Sequence, residues 1–255
     1  MNGRKDMRFT LTAAGIPVRV DCTYPQTAEF CRAYLTTQTP ELSVVLTADD
    51  IAYERAKSTQ TVSESYLETL ALCRRLTETL TARDVLLFHS SAVAVDGRAY
   101  LFAAPSGTGK STHTRLWRRL LGDRAVMIND DKPFLRFTEN EILAFGSPWD
   151  GKHRLSSPIS APVAGICLLR RGEENRIERI SAREGYLHLT RQTYLPRNPQ
   201  ALERAMTLID RLTAECPLYR LHCNMDISAA RLSYETMTGQ QYKKKCGKKL
   251  NLFIL

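Results

Sequence analysis

The sequence contains no apolar run of the ~18 to 20 residues that a membrane-spanning helix requires. Its polar first residues lead into Phe9-Thr10-Leu11-Thr12, a segment that is too polar for the core of a signal peptide. Internal repeats and low-complexity stretches are also absent. These absences predict a protein without a membrane span and with a cytoplasmic location.

Cysteine pairs of the C-x-x-C type are absent as well, and the seven cysteines are odd in number. Both facts argue against a disulfide framework and against a zinc ribbon or finger. Cys216 and Cys223 lie near His222, but the irregular spacing and the apolar neighbours favour buried free thiols over a metal site there.

Acidic residues are missing from 243–255, a segment that carries five lysines. The formal net charge is +9, from 36 basic and 27 acidic residues. Without the five lysines of this segment, 31 basic residues remain for the 27 acidic ones. The body of the protein is therefore only mildly basic. We expect residues 243–255 to form a basic tail that is solvated or binds an anionic partner. We expect no specific nucleic-acid binding, because no recognition motif is present.

The remaining sequence is typical of a globular protein, with 43% hydrophobic and 25% charged residues. Apolar and β-branched segments predict strands at 7–12, 16–22, 42–47, 85–88, 92–95, 99–103, 125–128, 134–137, 142–145, 163–169 and 218–221. Helical spacing and composition predict helices at 29–35, 63–83, 111–121, 199–214 and 227–238.

Strands lie on both sides of a Gly-rich segment at 104–112 and do not alternate regularly with helices. This order predicts an α/β fold with a mixed sheet rather than a Rossmann alternation. Residues 1–84 are predicted to form a small N-terminal α+β segment or subdomain. Residues 85–242 are predicted to form the main domain, followed by the basic tail.

The segment Ala104 to Thr112 matches the Walker A phosphate-binding pattern, with Ala in place of the first Gly. Gly107 and Gly109 allow the backbone to turn and to aim its N–H groups at an anion. The helix that follows offers free N–H groups and its positive dipole end. Lys110 can reach the β- and γ-phosphates of ATP, and the Ser111 hydroxyl can ligate Mg²⁺. The residues expected to bind the nucleotide are Ser106, Gly107, Thr108, Gly109, Lys110, Ser111 and Thr112.

An apolar strand downstream of this loop ends in two carboxylates, Asp130 and Asp131. A P-loop site uses an acid at a strand end to hold Mg²⁺. A kinase also benefits from an acid that accepts the proton of the attacking hydroxyl. An Asp-rich turn is the structural alternative. His89 ends the predicted strand 85–88 and gains a functional interpretation only in combination with these motifs.

Together these residues resemble the HPr kinase/phosphorylase family. The shared features are a His after an apolar strand (His89), a hairpin that leads into the segment 106–111, and the pair Asp130-Asp131 after a further strand. The resemblance covers residues 85–170. It implies a P-loop kinase core related to ATP-dependent phosphoenolpyruvate carboxykinase.

The resemblance also implies a role for each of these side chains. Asp131 would be the base that activates a serine hydroxyl, and Asp130 would assist with the metal and with geometry. His89 would lie near the transferring phosphate, Lys110 would neutralise it, and Ser111 would bind Mg²⁺. ATP and Mg²⁺ are the cofactors implied, and self-association is implied because relatives form oligomers.

The chain departs from the family pattern in two places. Only residues 1–84 precede the region of resemblance, so we expect the family's large N-terminal domain to be missing. The segment 146–152 stands where the family has Glu-Ile-Arg-Gly, which supplies a further metal ligand. These departures argue against a reverse phosphorylase activity and against HPr as the substrate. The chain is more similar to shorter HPr-kinase-like proteins, some of which phosphorylate a peptide serine.

Further candidates for substrate contact follow from this comparison. Asp150 is a possible substitute acid, and Lys152 or Arg154 are candidates to contact the substrate or a phosphate. Arg197 lies in a predicted loop, where charge stabilisation and an ordinary surface position are equal alternatives. Trp149 is a candidate to stack on a base or to line a groove, with core packing as the alternative.

The sequence therefore predicts a kinase that transfers the γ-phosphate of ATP to a hydroxyl of a peptide or small protein. A small-molecule kinase with the same core is an alternative, because the sequence does not separate an open groove from a closed pocket. A nucleotide-dependent regulatory module without catalysis is the second alternative.

Overall fold

The structure is a computed structural model that describes residues 7–243. The strands are β1 Met7–Ala13, β2 Ile16–Cys22, β3 Leu42–Val45, β4 Val85–Leu87, β5 Ser90–Val95, β6 Arg98–Ala103, β7 Ala125–Asn129, β8 Phe134–Phe137, β9 Ile142–Phe145, β10 Ser160–Arg171, β11 Arg176–Ile180 and β12 Leu218–Cys223. The helices are α1 Pro25–Phe30, α2 Ala48–Lys57, α3 Glu64–Thr81, α4 Lys110–Leu121, α5 Ala182–Gln192, α6 Pro199–Glu215 and α7 Ile227–Thr238.

Within the described residues, the strands form a three-stranded sheet, β1-β2-β3, and a nine-stranded sheet. The larger sheet runs β4-β8-β9-β10-β6-β5-β7, and β12 pairs with both β10 and β11. Strand β10 is parallel to β6 and β12 but antiparallel to β9. The predicted α/β fold with a mixed sheet is thus confirmed.

Helices cover the central strands on both faces. Along β6, Leu101 belongs to a core cluster with helices α5 and α6, whereas Phe102 belongs to a cluster with α4 and α7. The second cluster centres on Trp117, which is fully buried and packs its ring against Phe102 and Tyr234. Because both faces of β6 are buried, the chain leaves this strand at a fixed position, where the phosphate loop begins.

The hairpin between β5 and β6 turns at Asp96-Gly97, as predicted. Both residues have positive φ, 49° and 76°, which is the conformation that a two-residue type I′ turn requires. The register pairs Val95 with Arg98 and carries through to Ser90 and Ala103 at the other end of the hairpin. The turn therefore sets which residues of β5 stand beside the start of the phosphate loop.

The N-terminal segment shares its core with the rest of the chain. Residues of β1, β2 and α3 pack in one hydrophobic cluster with Val85, Leu87, Phe134 and Trp149, all of which follow residue 84. The core is therefore continuous across the boundary that the sequence suggested at residue 84. The division into 1–84 and 85–242 stays a prediction.

Several local predictions need correction. The helix expected at 29–35 instead begins at Pro25 and ends at Phe30, because Pro stabilises a first helical turn. Helices α2 and α5 and strand β11 were not predicted. Each of the two helices begins with a capping box, Thr47 with Asp50 and Ser181 with Glu184, which is a signal readable from sequence.

Two further predictions concern membrane spans and the basic tail. Among residues 7–243, no helix has both the length and the apolar character needed to cross a bilayer. The predicted basic tail 243–255 lies outside the described residues, apart from Lys243.

Gly146 lies where three backbone segments come close together. A Cβ at Gly146 would lie 2.0 Å from the Ser157 carbonyl oxygen and 2.9 Å from that of Ile128. We expect Gly146→Ala to lower the free energy of unfolding by about 3 kcal/mol or more, because neither backbone atom can move freely.

The matched control for this prediction is Gly185→Ala in helix α5. A Cβ there would meet Leu218 Cδ1 at 2.5 Å, the end of a flexible side chain. The gain in helix propensity, about 1 kcal/mol, offsets part of that clash. Urea unfolding of both variants measures the difference, and equal losses would contradict the packing argument.

Candidate functional site

The predicted phosphate loop joins the end of β6 to the start of α4, which confirms the strand–loop–helix arrangement. Gly107 and Gly109 have φ of 76° and 121°, and Gly109 is the N-cap of α4. A Cβ at either position would meet no atom within 4 Å, so conformation rather than space requires glycine here. The loop can therefore direct its N–H groups at an anion.

Lys110 lies beneath this loop and is buried, with 8% of its surface exposed. Its ammonium donates a hydrogen bond to the Ala104 carbonyl oxygen at 2.8 Å. Burial lowers the pKa of Lys110, and the charges of Asp131 and Asp130 act in the opposite direction. The two carboxylates are therefore close enough to Lys110 to interact with it electrostatically.

Asp130 follows β7 and is also buried, with 6% of its surface exposed. Its Oδ1 accepts a hydrogen bond from Ser91 Oγ at 2.6 Å, and Ser91 Oγ lies 2.8 Å from Thr114 Oγ1 on α4. Asp130 and Ser111 line the same cavity of about 270 Å³. Arg115, Arg118 and His153 line that cavity as well. The Ser111 hydroxyl and the Asp130 carboxylate are oxygen ligands of the kind that Mg²⁺ takes, so these two residues are the ones that would hold such an ion.

Asp131 is the more exposed of the two acids and forms two charged contacts. Its Oδ1 lies 3.2 Å from His89 Nε2, and its Oδ2 accepts a hydrogen bond from the Lys132 ammonium. Burial raises the pKa of Asp131, but the hydrogen bonds from His89 and Lys132 outweigh it and lower the pKa to about 2. The carboxylate is therefore ionised at neutral pH and able to accept a proton.

The turn that carries both acids is held by Asn129, which sequence reasoning missed. Asn129 Oδ1 accepts hydrogen bonds from the backbone N–H groups of Asp131 at 2.8 Å and Lys132 at 2.7 Å. Its Nδ2 donates to the Ser147 carbonyl oxygen at 3.0 Å, and both residues are fully buried. Asn before two turn residues is the available signal, because its side chain favours such Asx turns.

A second missed residue is Gln192, the last residue of α5. The His89 backbone N–H donates to the Gln192 carbonyl oxygen at 2.7 Å. With its side-chain nitrogen facing the site, Gln192 donates to the Ala104 carbonyl oxygen at 3.1 Å and lies 3.2 Å from His89 Nδ1. In this arrangement Nδ1 accepts a hydrogen bond from the Gln192 amide, so Nε2 carries the hydrogen that is donated to Asp131. No local pattern in the sequence signals this contact.

The weaker substrate candidates Trp149 and Asp150 lie beside the turn of the two acids. The Lys132 N–H donates to the Trp149 carbonyl oxygen at 3.2 Å, and a Cβ at Gly151 would lie 3.5 Å from Asp131 Cβ. Trp149 is buried, its Nε1–H donates to the Thr69 carbonyl oxygen at 3.1 Å, and its ring packs against Phe30 and Phe134. This is the core-packing alternative that the sequence left open. Asp150 is buried as well and accepts a hydrogen bond from Ser156 Oγ at 3.0 Å.

The three basic candidates make no contact with the phosphate loop among the described residues. Arg154 lies 5.1 Å from the Phe30 ring, and Arg197 lies 4.6 Å from the Tyr53 ring. Lys152 is exposed. The structure thus brings His89, Lys110, Asp130 and Asp131 together, and the segment that carries Lys152 and Arg154 borders the two acids. A substrate role for the three basic candidates stays a prediction.

Two clefts border the phosphate loop. The apolar cleft, of about 470 Å³, is lined by Thr112, Leu116, Cys223 and Met225 among others. The basic cleft, of about 740 Å³, is lined by loop residues and by Arg170, Arg171, His188, Arg191, Gln192 and His222. The loop therefore separates two spaces of different chemistry.

The lowered pKa of Asp131 predicts a specific dependence of stability on acid. The carboxyl group titrates near 3.8 when unfolded and at about 2 when folded. Because the pKa is lower in the folded than in the unfolded protein, the ionised carboxylate stabilises the fold at pH values above the unfolded pKa. This stabilisation is lost as the pH falls through the folded pKa. We expect Asp131 to contribute at most about 2 kcal/mol to the free energy of unfolding at neutral pH. Solvent screens its contacts, because a quarter of the side chain is exposed.

Urea unfolding between pH 6 and about pH 2 measures this contribution. The wild type should lose stability relative to Asp131→Asn across the window, since the amide does not titrate. Parallel pH profiles for the two proteins would contradict the assigned hydrogen bonds.

Comparisons with known proteins give little further information. No family model and no curated protein matches the chain. Among solved structures, the chain is similar to the Hpr(Ser) kinase/phosphatase from Coxiella burnetii, with 15% identity and a TM-score of 0.27. That match covers 51% of this chain and 98% of the other. A TM-score at this level supports no conclusion about fold or function.

Proposed function

We propose that this protein is an ATP- and Mg²⁺-dependent kinase that phosphorylates a hydroxyl, with serine of a peptide or small protein as the acceptor. The observation that carries the proposal is the convergence of Lys110, Asp130 and Asp131 at one phosphate loop. A loop alone accounts for binding an anion. The carboxylate beside it, aligned by His89, provides a base for the hydroxyl that attacks the phosphate.

In this proposal the phosphates of ATP lie against the backbone N–H groups of the loop and the Lys110 ammonium. The apolar cleft receives the adenine ring of ATP, because it adjoins Thr112 at the start of α4 and offers apolar surface. Ser111 and Asp130 hold Mg²⁺. The ion would neutralise phosphate charge as the phosphoryl group leaves ADP.

The chemical step is a balanced transfer. Asp131 accepts the proton of the acceptor hydroxyl, the oxygen forms a bond to the γ-phosphorus, and the bond from that phosphorus to the ADP oxygen breaks. A base with a pKa of about 2 is weak in isolation. The negative charge of a bound γ-phosphate raises the pKa of a neighbouring carboxylate and so improves Asp131 as a proton acceptor.

Two measurements on the purified full-length chain test the proposal. Calorimetry with ADP and Mg²⁺ should show binding that weakens when Mg²⁺ is removed. Incubation with γ-labelled ATP and a degenerate pool of serine peptides should transfer label to peptide. Absence of nucleotide binding would overturn the whole proposal. Nucleotide binding without transfer, to peptides or small hydroxyl compounds, would favour the regulatory alternative.

A cytoplasmic location accompanies this proposal, since ATP is the phosphate donor. Self-association stays a prediction from family resemblance.

A further inference from the structure

The basic cleft beside the phosphate loop has no acidic side chain in its lining. It contains three arginines, Arg170, Arg171 and Arg191, together with His188 and His222. The arginines of this group carry charge at any physiological pH. A cleft lined in this way concentrates positive potential over a small volume.

These arginines also lack the acidic partners that some other arginines of the chain have. Arg220, for comparison, lies within ion-pair distance of both Glu178 and Glu184. Among residues 7–243, Arg170, Arg171 and Arg191 form no ion pair within 4.0 Å. The polar contact of Arg170 is His188 Nε2 at 3.5 Å, and Arg171 donates to the Gly107 carbonyl oxygen at 2.6 Å.

His188 lies among the same positive charges. Burial lowers its pKa, and the neighbouring charges of Arg170, Arg220 and Arg191 lower it further. Mutual repulsion among like charges costs folding energy, and a bound anion relieves it. The cleft therefore has the electrostatic character of an anion site.

ATP does not account for this charge in the proposed arrangement. The loop and Lys110 bind its phosphates, and its adenine ring occupies the apolar cleft on the other side of the loop. Arg171 lines both clefts, whereas Arg170 and Arg191 line only the basic one. Gln192 also lines the basic cleft and contacts His89, so one side chain separates the cleft from the His89–Asp131 pair.

We propose that the basic cleft binds an acidic segment of the acceptor peptide, whose carboxylates pair with Arg170 and Arg191 while a nearby serine reaches Asp131. This inference rests on the proposed function and names its substrate class. Arginine suits the task, because its planar fork binds a carboxylate through two hydrogen bonds. A docking site of this kind selects the acceptor without taking part in the chemical step.

The test compares two degenerate peptide pools with one fixed serine and amidated C-termini. One pool carries Asp and Glu around the serine, and the other carries Asn and Gln at the same positions. Fluorescence anisotropy measures binding of each pool to the full chain, with and without ADP and Mg²⁺. Phosphate incorporation gives KM and kcat for each pool where transfer occurs.

We expect the acidic pool to bind about tenfold more tightly than the amide pool. The double variant Arg170→Gln and Arg191→Gln should remove most of this preference and leave ADP affinity unchanged. The control is Arg176→Gln with Arg183→Gln, two exposed arginines outside the cleft, which removes the same charge. This control should retain the preference.

Equal binding of the two pools, or a preference that survives the cleft variant, would overturn the inference. A cleft variant that loses ADP affinity would also overturn it, because the arginines would then belong to the nucleotide site. Failure of the wild type to bind ADP is a separate result. It would refute the proposed kinase while the peptide measurement still decides what the cleft binds.

Discussion

Asp131→Asn is expected to lower kcat for phosphate transfer by about 10²- to 10⁴-fold, the range that general acid–base catalysis contributes. KM for ATP should change little, because Asp131 contacts His89 and Lys132 rather than the loop backbone. The amide keeps the size of the side chain and one oxygen acceptor. It lacks the negative charge that accepts a proton, so the loss should fall on kcat.

The position of Asp131 explains why a small chemical change should have this effect. Asn129 fixes the backbone of the turn, and His89, held by Gln192, fixes one carboxylate oxygen. A group held in this way is oriented before the substrate arrives, which lowers the entropic cost of the reaction. Replacing the carboxylate removes the base, and the single amide oxygen keeps one of the two contacts with His89 and Lys132.

Initial rates at saturating ATP measure the effect, with thermal unfolding as a check of the fold. The control is Asp123→Asn, an exposed acid just beyond the C-terminal end of α4, which should leave kcat unchanged. If Asp131→Asn turns over as fast as the wild type, Asp131 is not the base.

Lys110→Met is expected to lower kcat/KM for ATP by about 10³-fold or more. In the proposed site the ammonium contacts the γ-phosphate, and it interacts electrostatically with both acids. Met fills a similar volume without charge. Loss of the cation should weaken binding of the phosphates and raise the barrier to their transfer.

Stability distinguishes this effect from a folding defect. Burial lowers the pKa of Lys110, so the charged side chain is desolvated at a cost in the folded protein. The apolar variant should therefore unfold no more readily than the wild type. Lys57→Met, an exposed lysine of α2, is the control. Unchanged kcat/KM in Lys110→Met, or unfolding at lower urea, would contradict the assigned role.

Those parts of the site that the sequence predicted are local in the chain. The loop 104–112, the hairpin at Asp96-Gly97 and the strand that ends before Asp130 each depend on a few neighbouring residues. Turn chemistry and the need for positive φ at glycine specify such features directly. The same reasoning extends to the capping boxes of α2 and α5, which were readable but missed.

The parts that were not predicted depend on contacts between distant segments. Gln192 reaches His89 only because α5 ends beside β4 and β5. No residue spacing in the sequence predicts this contact. The side chain of Trp149 is equally suited to a groove or to a core. It lies in the core because it packs in the hydrophobic cluster of the N-terminal segment. The basic cleft is likewise assembled from separate segments, because the phosphate loop, β10 with α5, and β12 each contribute to its lining.

Mass spectrometry of acceptor peptides after incubation with ATP and Mg²⁺ gives the most direct test that one site combines the phosphate loop with Asp131. With the acidic serine pool, wild-type protein should add one phosphoryl group to serine for each ADP formed. Asp131→Asn should bind ADP normally but form phosphopeptide at least about 10²-fold more slowly. ADP formed at equal rates by both proteins, with no phosphopeptide from either, would contradict the proposed kinase.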